Sequence, residues 1–127
     1  MNILIVDDKL MIRDGIKYLL HDQNITNNTY EACDGLQAIE ITNKRNFDII
    51  LMDISMPNLD GINATKQIMK QNSNNKVIAI SMHTDRNDII KMHQAGAKGY
   101  ILKDTIANTL KNAIDKTLSE EDFFILK

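Results

Sequence analysis

Residues 49–52 are four consecutive apolar residues, Ile-Ile-Leu-Met, that run straight into Asp53, with Pro57 closing the stretch four residues later. An uninterrupted apolar run of this length suits a strand buried on both faces, which is a central strand of a parallel sheet. Asp53 then stands at the carboxyl end of that strand, the edge where open α/β sheets collect ligands and chemistry. Any fold assigned to the chain must explain why an acid sits there.

The rest of the chain repeats the same grammar. Residues 2–6 form another short apolar run and end in Asp7-Asp8; Thr29 to Cys33 reads as a shorter strand, closed by Asp34-Gly35. Residues 77–80 end at Ser81 and residues 99–102 at Lys103. Between these runs apolar residues recur at helical spacing: Ile12, Ile16, Leu19 and Leu20; Ala38 and Ile39; Ile62, Thr65, Ile68 and Met69; a stretch at residues 88–95 stopped by Gly96; and Ile106, Leu110, Ala113, Ile114 and Leu118. Strand and helix alternating in this way predict a parallel sheet covered by helices on both faces, with right-handed connections. Residues 1–118 read as one domain. Residues 119–127 fall outside the alternation and read as a C-terminal tail, either an extra helical turn or the start of a linker.

Composition removes several function classes. The 127 residues carry a formal net charge of −2, which leaves no basic footprint for nucleic acid or anionic membranes. The single cysteine, Cys33, allows no internal disulfide and no cysteine-based zinc site, and reads as a small hydrophobe. No apolar run is long enough to span a membrane. The first strand begins at residue 2 and leaves no room for a signal peptide, so a cytoplasmic location is expected. No glycine-rich loop follows the first strand, which argues against dinucleotide binding.

In a parallel sheet Asp7, Asp8, Asp53, Ser81 and Lys103 all project from one edge. Three clustered carboxylates raise one another's pKa, and such a cluster commonly holds a cation. Hard oxygen ligands suit Mg²⁺. Lys103 is a point cation fitted to a phosphoryl oxygen, and Ser81 offers a hydroxyl beside it. A carboxylate nucleophile, a divalent cation and a lysine point to phosphoryl transfer onto Asp53. A phosphatase with an aspartate nucleophile is disfavoured, because such enzymes generally need a second acid two residues later, where this chain has Ser55. Taken singly, each residue has a plainer reading. Asp8 could cap the first helix, Tyr100 could be a simple half-buried aromatic, and His21, His83 and His93 lack metal-ligand spacing, although His83 lies near Ser81.

Four blocks, Ile5-Val6-Asp7-Asp8, residues 53–61, Ile80-Ser81-Met82 and residues 96–103, together resemble the receiver domains of bacterial response regulators. Arg13-Asp14-Gly15 and Lys103-Asp104-Thr105 make the NarL/FixJ subfamily the nearest likeness. The resemblance implies a flavodoxin-like (βα)5 fold with strand order 2-1-3-4-5. It implies that Asp53 is the phosphoacceptor, that Asp7, Asp8 and Asp53 with the backbone carbonyl of Ser55 hold Mg²⁺, and that Lys103 contacts the phosphoryl group. Ser81 and Tyr100 would be the switch pair that alters the surface of helix four, strand five and helix five. The implied partner is a sensor histidine kinase, with a homodimer on phosphorylation through flanks such as Lys111, Asn112 and Asp115. DNA would be bound only through a further C-terminal domain, and residues 119–127 would lead toward it. Such a protein promotes its own phosphorylation and dephosphorylation but is no conventional enzyme. The alternative is a module of the same fold that is never phosphorylated. Two positions depart from the family pattern. Asp104 replaces a common proline, which leaves a trans peptide or a strained cis one at Lys103-Asp104. His93 stands where leucine is common in helix four.

Overall fold

The structure is a computed structural model and describes residues 1–124. The elements are β1 Asn2–Val6, α1 Leu10–Asp22, β2 Asn28–Ala32, α2 Gly35–Lys44, β3 Ile49–Asp53, α3 Gly61–Gln71, β4 Val77–Ser81, α4 Arg86–Ala95, β5 Gly99–Leu102, α5 Ile106–Leu118 and β6 Phe123–Phe124. A 3-10 turn at Lys103–Thr105 leads into α5. No peptide bond among the described residues is cis, so Lys103-Asp104 is trans.

The sheet order is β2-β1-β3-β4-β5-β6 and every pairing is parallel. The order over the first five strands is the one expected, and the sixth strand is an addition. Residues 119–122 make no further helical turn, and Phe123–Phe124 pair with β5 instead. The tail's last residues, 125–127, lie outside the described ones.

Two cores lie on opposite faces of the sheet, as strands covered on both sides require. Ile3, Ile5, Ile49, Leu51, Ile78, Ile80 and Ile101 pack with α1 and α5; Leu4, Val6, Ile50, Met52, Ala79 and Tyr100 pack with α2, α3 and α4. Because side chains alternate along a strand, each row can be followed to the carboxyl edge. The rows Ile3-Ile5, Ile49-Leu51 and Ile101 continue into Asp7, Asp53 and Lys103. The row Val77-Ala79 continues into Ser81, on the side shared with Tyr100 and α4. The sheet therefore sorts Asp7, Asp53 and Lys103 onto one side and Ser81 with Tyr100 onto the other.

Three helices begin on side-chain caps. Asp34 accepts from Gln37 N, Asp60 from Asn63 N, and Asp85 from Asn87 N and Asp88 N. At the other end of α4, Gly96 adopts φ 108°, the left-handed conformation that closes a helix.

Candidate functional site

Register brings the acids together. Val6 pairs with Met52, and Asp53 faces Ile80, so Asp7 and Asp53 emerge side by side from adjacent strands. Ser81 pairs with Leu102, which places Lys103 one residue beyond the same level. Carboxylate oxygens of Asp7, Asp8 and Asp53 lie within 4.8 Å of one another. Asp7 and Asp53 are buried and Asp8 is partly exposed, which makes the cluster a pocket with one wet wall.

Lys103 reaches into the cluster. Its Nζ lies 2.9 Å from Asp7 Oδ2 and 3.1 Å from Asp53 Oδ1. One ammonium between two buried carboxylates, with a third beside them, leaves negative charge in excess. Burial, followed by the neighbouring Asp7 charge, raises the Asp53 carboxyl above the ordinary aspartate value despite the opposing pull of Lys103. Burial alone would lower the Lys103 ammonium, but Asp7 and Asp53 outweigh it and hold the proton more tightly than usual. Asp53 Oδ2 is buried without a hydrogen-bond partner. A buried carboxylate oxygen is costly to leave unsatisfied. Together with two further carboxylates in reach, it is the donor set of a hard divalent cation, so the residues present fit Mg²⁺.

The surrounding backbone holds this arrangement. Asp7 Oδ1 accepts the amide of Lys9 at 2.8 Å, and the Asp7 carbonyl accepts Arg13 Nη1 at 2.8 Å. Arg13 Nε also donates to Glu31 Oε1 at 2.8 Å and so ties the end of β1 to α1 and β2. Asp8 is not the cap of α1. The cap position is Lys9, with no side-chain hydrogen bond, and Asp8 is left free to face the pocket and meet Lys9 Nζ at 3.3 Å. Ser55 lies exposed in the bend that follows Asp53. That bend closes where Gly61 N donates to Ile54 O at 2.8 Å.

Ser81 and Tyr100 form a second group. Ser81 Oγ accepts the His83 amide at 3.1 Å, and Tyr100 Oη donates to the His83 carbonyl at 2.9 Å. Tyr100 is fully buried rather than half-buried, and burial raises its phenol above the ordinary value. His83 lies beside Ser81, as its position in the sequence implies, and the contacts are made by its backbone. Arg13 and Lys9 were not singled out as site residues. Their contribution runs through a backbone carbonyl and a backbone amide, which leave no residue-type signature, although Arg13 was visible in the Arg13-Asp14-Gly15 block. His21 and His93 stay away from the acidic cluster, and Cys33 is exposed rather than buried.

The profile of the response regulator receiver domain matches residues 3–115, most of the chain. The chain belongs to the response regulator receiver family. It is 36% identical over 122 residues to the response regulator protein VraR of Staphylococcus saprophyticus, covering 96% of this chain and 58% of that protein. It is 42% identical over 118 residues to the chemotaxis protein CheY-3 of Vibrio cholerae, covering 91% of this chain and 90% of that one. Among solved structures, a LuxR-family two-component response regulator from Aurantimonas superposes with a TM-score of 0.90 at 28% identity, covering 96% of this chain and 87% of the other. Several of the curated relatives are transcriptional regulatory proteins, and this receiver spans about half their length. Among the described residues no helix is long and apolar enough to cross a membrane.

Proposed function

We propose that this receiver is a phosphorylation-dependent switch and that Asp53 accepts the phosphoryl group from a histidine kinase in the cytoplasm. The observation that carries the reading is Asp53 itself. It is a buried carboxylate with one oxygen on Lys103 and the other unpartnered, and carboxylate oxygens of Asp7 and Asp8 lie within 4.8 Å of it.

In this reading Asp53 attacks the phosphorus of a phosphohistidine. The new P–O bond forms as the P–N bond breaks, and the departing imidazole nitrogen takes up a proton. Lys103 meets the charge on the phosphoryl oxygens, already fixed by Asp7 and needing little rearrangement. Mg²⁺, held by Asp7, Asp8, Asp53 and the Ser55 carbonyl, would supply further positive charge against those oxygens. Ser81 supplies the hydroxyl that follows the phosphoryl group, and Tyr100 transmits the change toward α4, β5 and α5. Beside the pocket, Met11, Ile12, Gly15 and Leu19 of α1 line a shallow cavity of about 160 Å³ with Lys103 and Ile106. Met11 is strongly exposed there, which offers an apolar seat for the kinase beside the acceptor. A transcriptional output is supported by the transcriptional regulatory proteins among its relatives, and the same proposal includes a DNA-binding domain beyond the receiver and a homodimer formed on phosphorylation.

The test is intact mass after treatment with an acyl phosphate and Mg²⁺. Wild type is expected to gain one phosphoryl group and Asp53→Asn none. Unmodified wild type under saturating donor would leave the phosphorylation-independent module as the better reading. Light scattering with and without beryllofluoride checks the dimer, and an unchanged mass would remove that part.

A further inference from the structure

Between Asp53 and α3 runs a loop, residues 54–60, that carries Ser55 two residues beyond the acceptor. Leu59 N donates to Pro57 O at 2.7 Å, across the single residue Asn58. A bond that spans one residue forces a sharp turn, and Asn58 makes it at φ 68°, in the left-handed region. Asparagine enters that region more readily than most side chains, yet the conformation persists only where its surroundings hold it.

The hold comes from the turn after β2. Asn58 Nδ2 donates to Asp34 Oδ2 at 2.8 Å, and Gly35 N donates to Leu59 O at 3.2 Å. Among the described residues these are the only hydrogen bonds that tie residues 55–60 to anything beyond the loop and α3. An ionised carboxylate only accepts, so the Asn58 atom on Asp34 must be its amide nitrogen. The other Asp34 oxygen accepts Gln37 N at 2.8 Å and caps α2. These two donors, Gln37 first and Asn58 second, hold the Asp34 carboxyl below the ordinary aspartate range. One side chain thus starts α2 and grips the loop after β3. Gly35 permits the close approach, because a β-carbon there would come within 2.5 Å of the Leu59 carbonyl oxygen.

We propose that Asp34 and Asn58 form a latch between the turn after β2 and the loop after β3, and that Asp34 is a positioning residue for the metal pocket through the Ser55 carbonyl that this loop carries. The positioning role rests on the function proposed above; the latch itself does not. The path from latch to pocket is short. Ser55 stands three residues before Asn58 and makes no hydrogen bond of its own among the described residues. Its carbonyl is aimed by whatever fixes the loop on either side, which is Asp53 in the sheet and Asn58 on Asp34. Groups that aim a metal ligand commonly change metal affinity by about 10- to 100-fold when removed.

Asn58→Asp separates the latch from simple charge. Aspartate tolerates the left-handed region as asparagine does, but two carboxylates then meet at the latch. Charge alone would tighten an acidic pocket on a cation, whereas a broken latch loosens it, so the two effects have opposite sign. Adding Asp34→Asn restores an amide–carboxylate bond with donor and acceptor exchanged, keeps a good cap for α2 and returns the net charge to that of wild type. Calorimetric titration of the unphosphorylated full chain with Mg²⁺ reads the affinity, and hydrogen exchange at the Gly35 amide in metal-free protein reads the latch. Asn58→Asp is expected to weaken Mg²⁺ binding by about 10-fold and to speed Gly35 exchange by about 5-fold or more, and the double variant to recover both. An Mg²⁺ dissociation constant unchanged or lowered in Asn58→Asp, or raised and not recovered in the double variant, overturns the positioning role and leaves the metal site standing. Unmoved Gly35 exchange overturns the latch. Wild type that binds no Mg²⁺ overturns the metal reading and the positioning role together, and Gly35 exchange alone then decides the latch.

Discussion

A β-carbon added to Gly61 would overlap the backbone carbonyl of Asp53, a neighbour fixed inside the sheet that cannot give way. Gly61→Ala is therefore expected to cost about 3 kcal/mol, the upper part of the range for overpacking, and a thermal melt followed by circular dichroism would show it. An unchanged melt would mean that the bend after β3 is more pliant than its hydrogen bond to Ile54 indicates. At Asp53 the expected sign is the reverse. Burial and Asp7 together make the ionised carboxylate unfavourable in the folded chain. Asp53→Asn keeps the shape and removes that charge, so the metal-free variant should melt above wild type at pH 7 while losing all phosphoryl acceptance. A lower melting temperature would show that the Lys103 contact outweighs the burial cost. These residues were legible because each breaks an apolar run: Asp7, Asp53 and Lys103 are charges where the strand rows leave the core. Asp8 as a cap was not borne out, because the helix starts one residue later and carries no side-chain cap.

Short elements depend on their ends, and α4 shows where that matters for signalling. Its ten residues start on the Asp85 carboxylate, which accepts two amides of the first turn. Asp85→Ala is expected to cost about 1 kcal/mol, concentrated in α4, and exchange of its first-turn amides would locate the loss. Tyr100→Phe should cost a similar amount, about 1 kcal/mol in a urea titration, since it deletes one buried hydrogen bond and leaves the His83 carbonyl without that donor. A Tyr100→Phe protein as stable as wild type would mean that water replaces the hydroxyl. At this scale the first five strands and the five helices of the described residues were readable, the central strands as uninterrupted apolar runs buried on both faces and the helices from apolar spacing and end signals such as Gly96. The sixth strand was not. Its two described residues, Phe123–Phe124, make no period, and the polar run before them resembles the end of a helix. The strand is held by a neighbour distant in sequence, Gly99–Tyr100, which no local pattern reveals.

For the whole molecule, stability, metal and pH are one linked equilibrium. Mg²⁺ that binds only the folded chain should stabilise it by about 1.4 kcal/mol at ten times its dissociation constant. The increment depends on ionised ligands, so it must fade as they take up protons. Asp53 is the first of these to consider, because its folded carboxyl is raised above the ordinary aspartate value while the unfolded one is not. Between the two values the folded chain binds more protons than the unfolded one, so metal-free stability falls as pH rises through that window and the penalty is complete above it. The Mg²⁺ increment runs the other way, largest above the raised value and lost as pH falls through it. Lys103, with its proton held more tightly in the folded chain, keeps its contribution until pH rises through the range above its ordinary value, so it does not obscure the acid side. Paired melts in Mg²⁺ and in chelator across the acid range should therefore converge at a pH above the ordinary aspartate value, and the stability advantage of metal-free Asp53→Asn over wild type should close in the same interval. A Mg²⁺ increment that persists unchanged below that value would remove Asp53 from the ligand set and leave Asp7 and Asp8 as the carboxylates that bind.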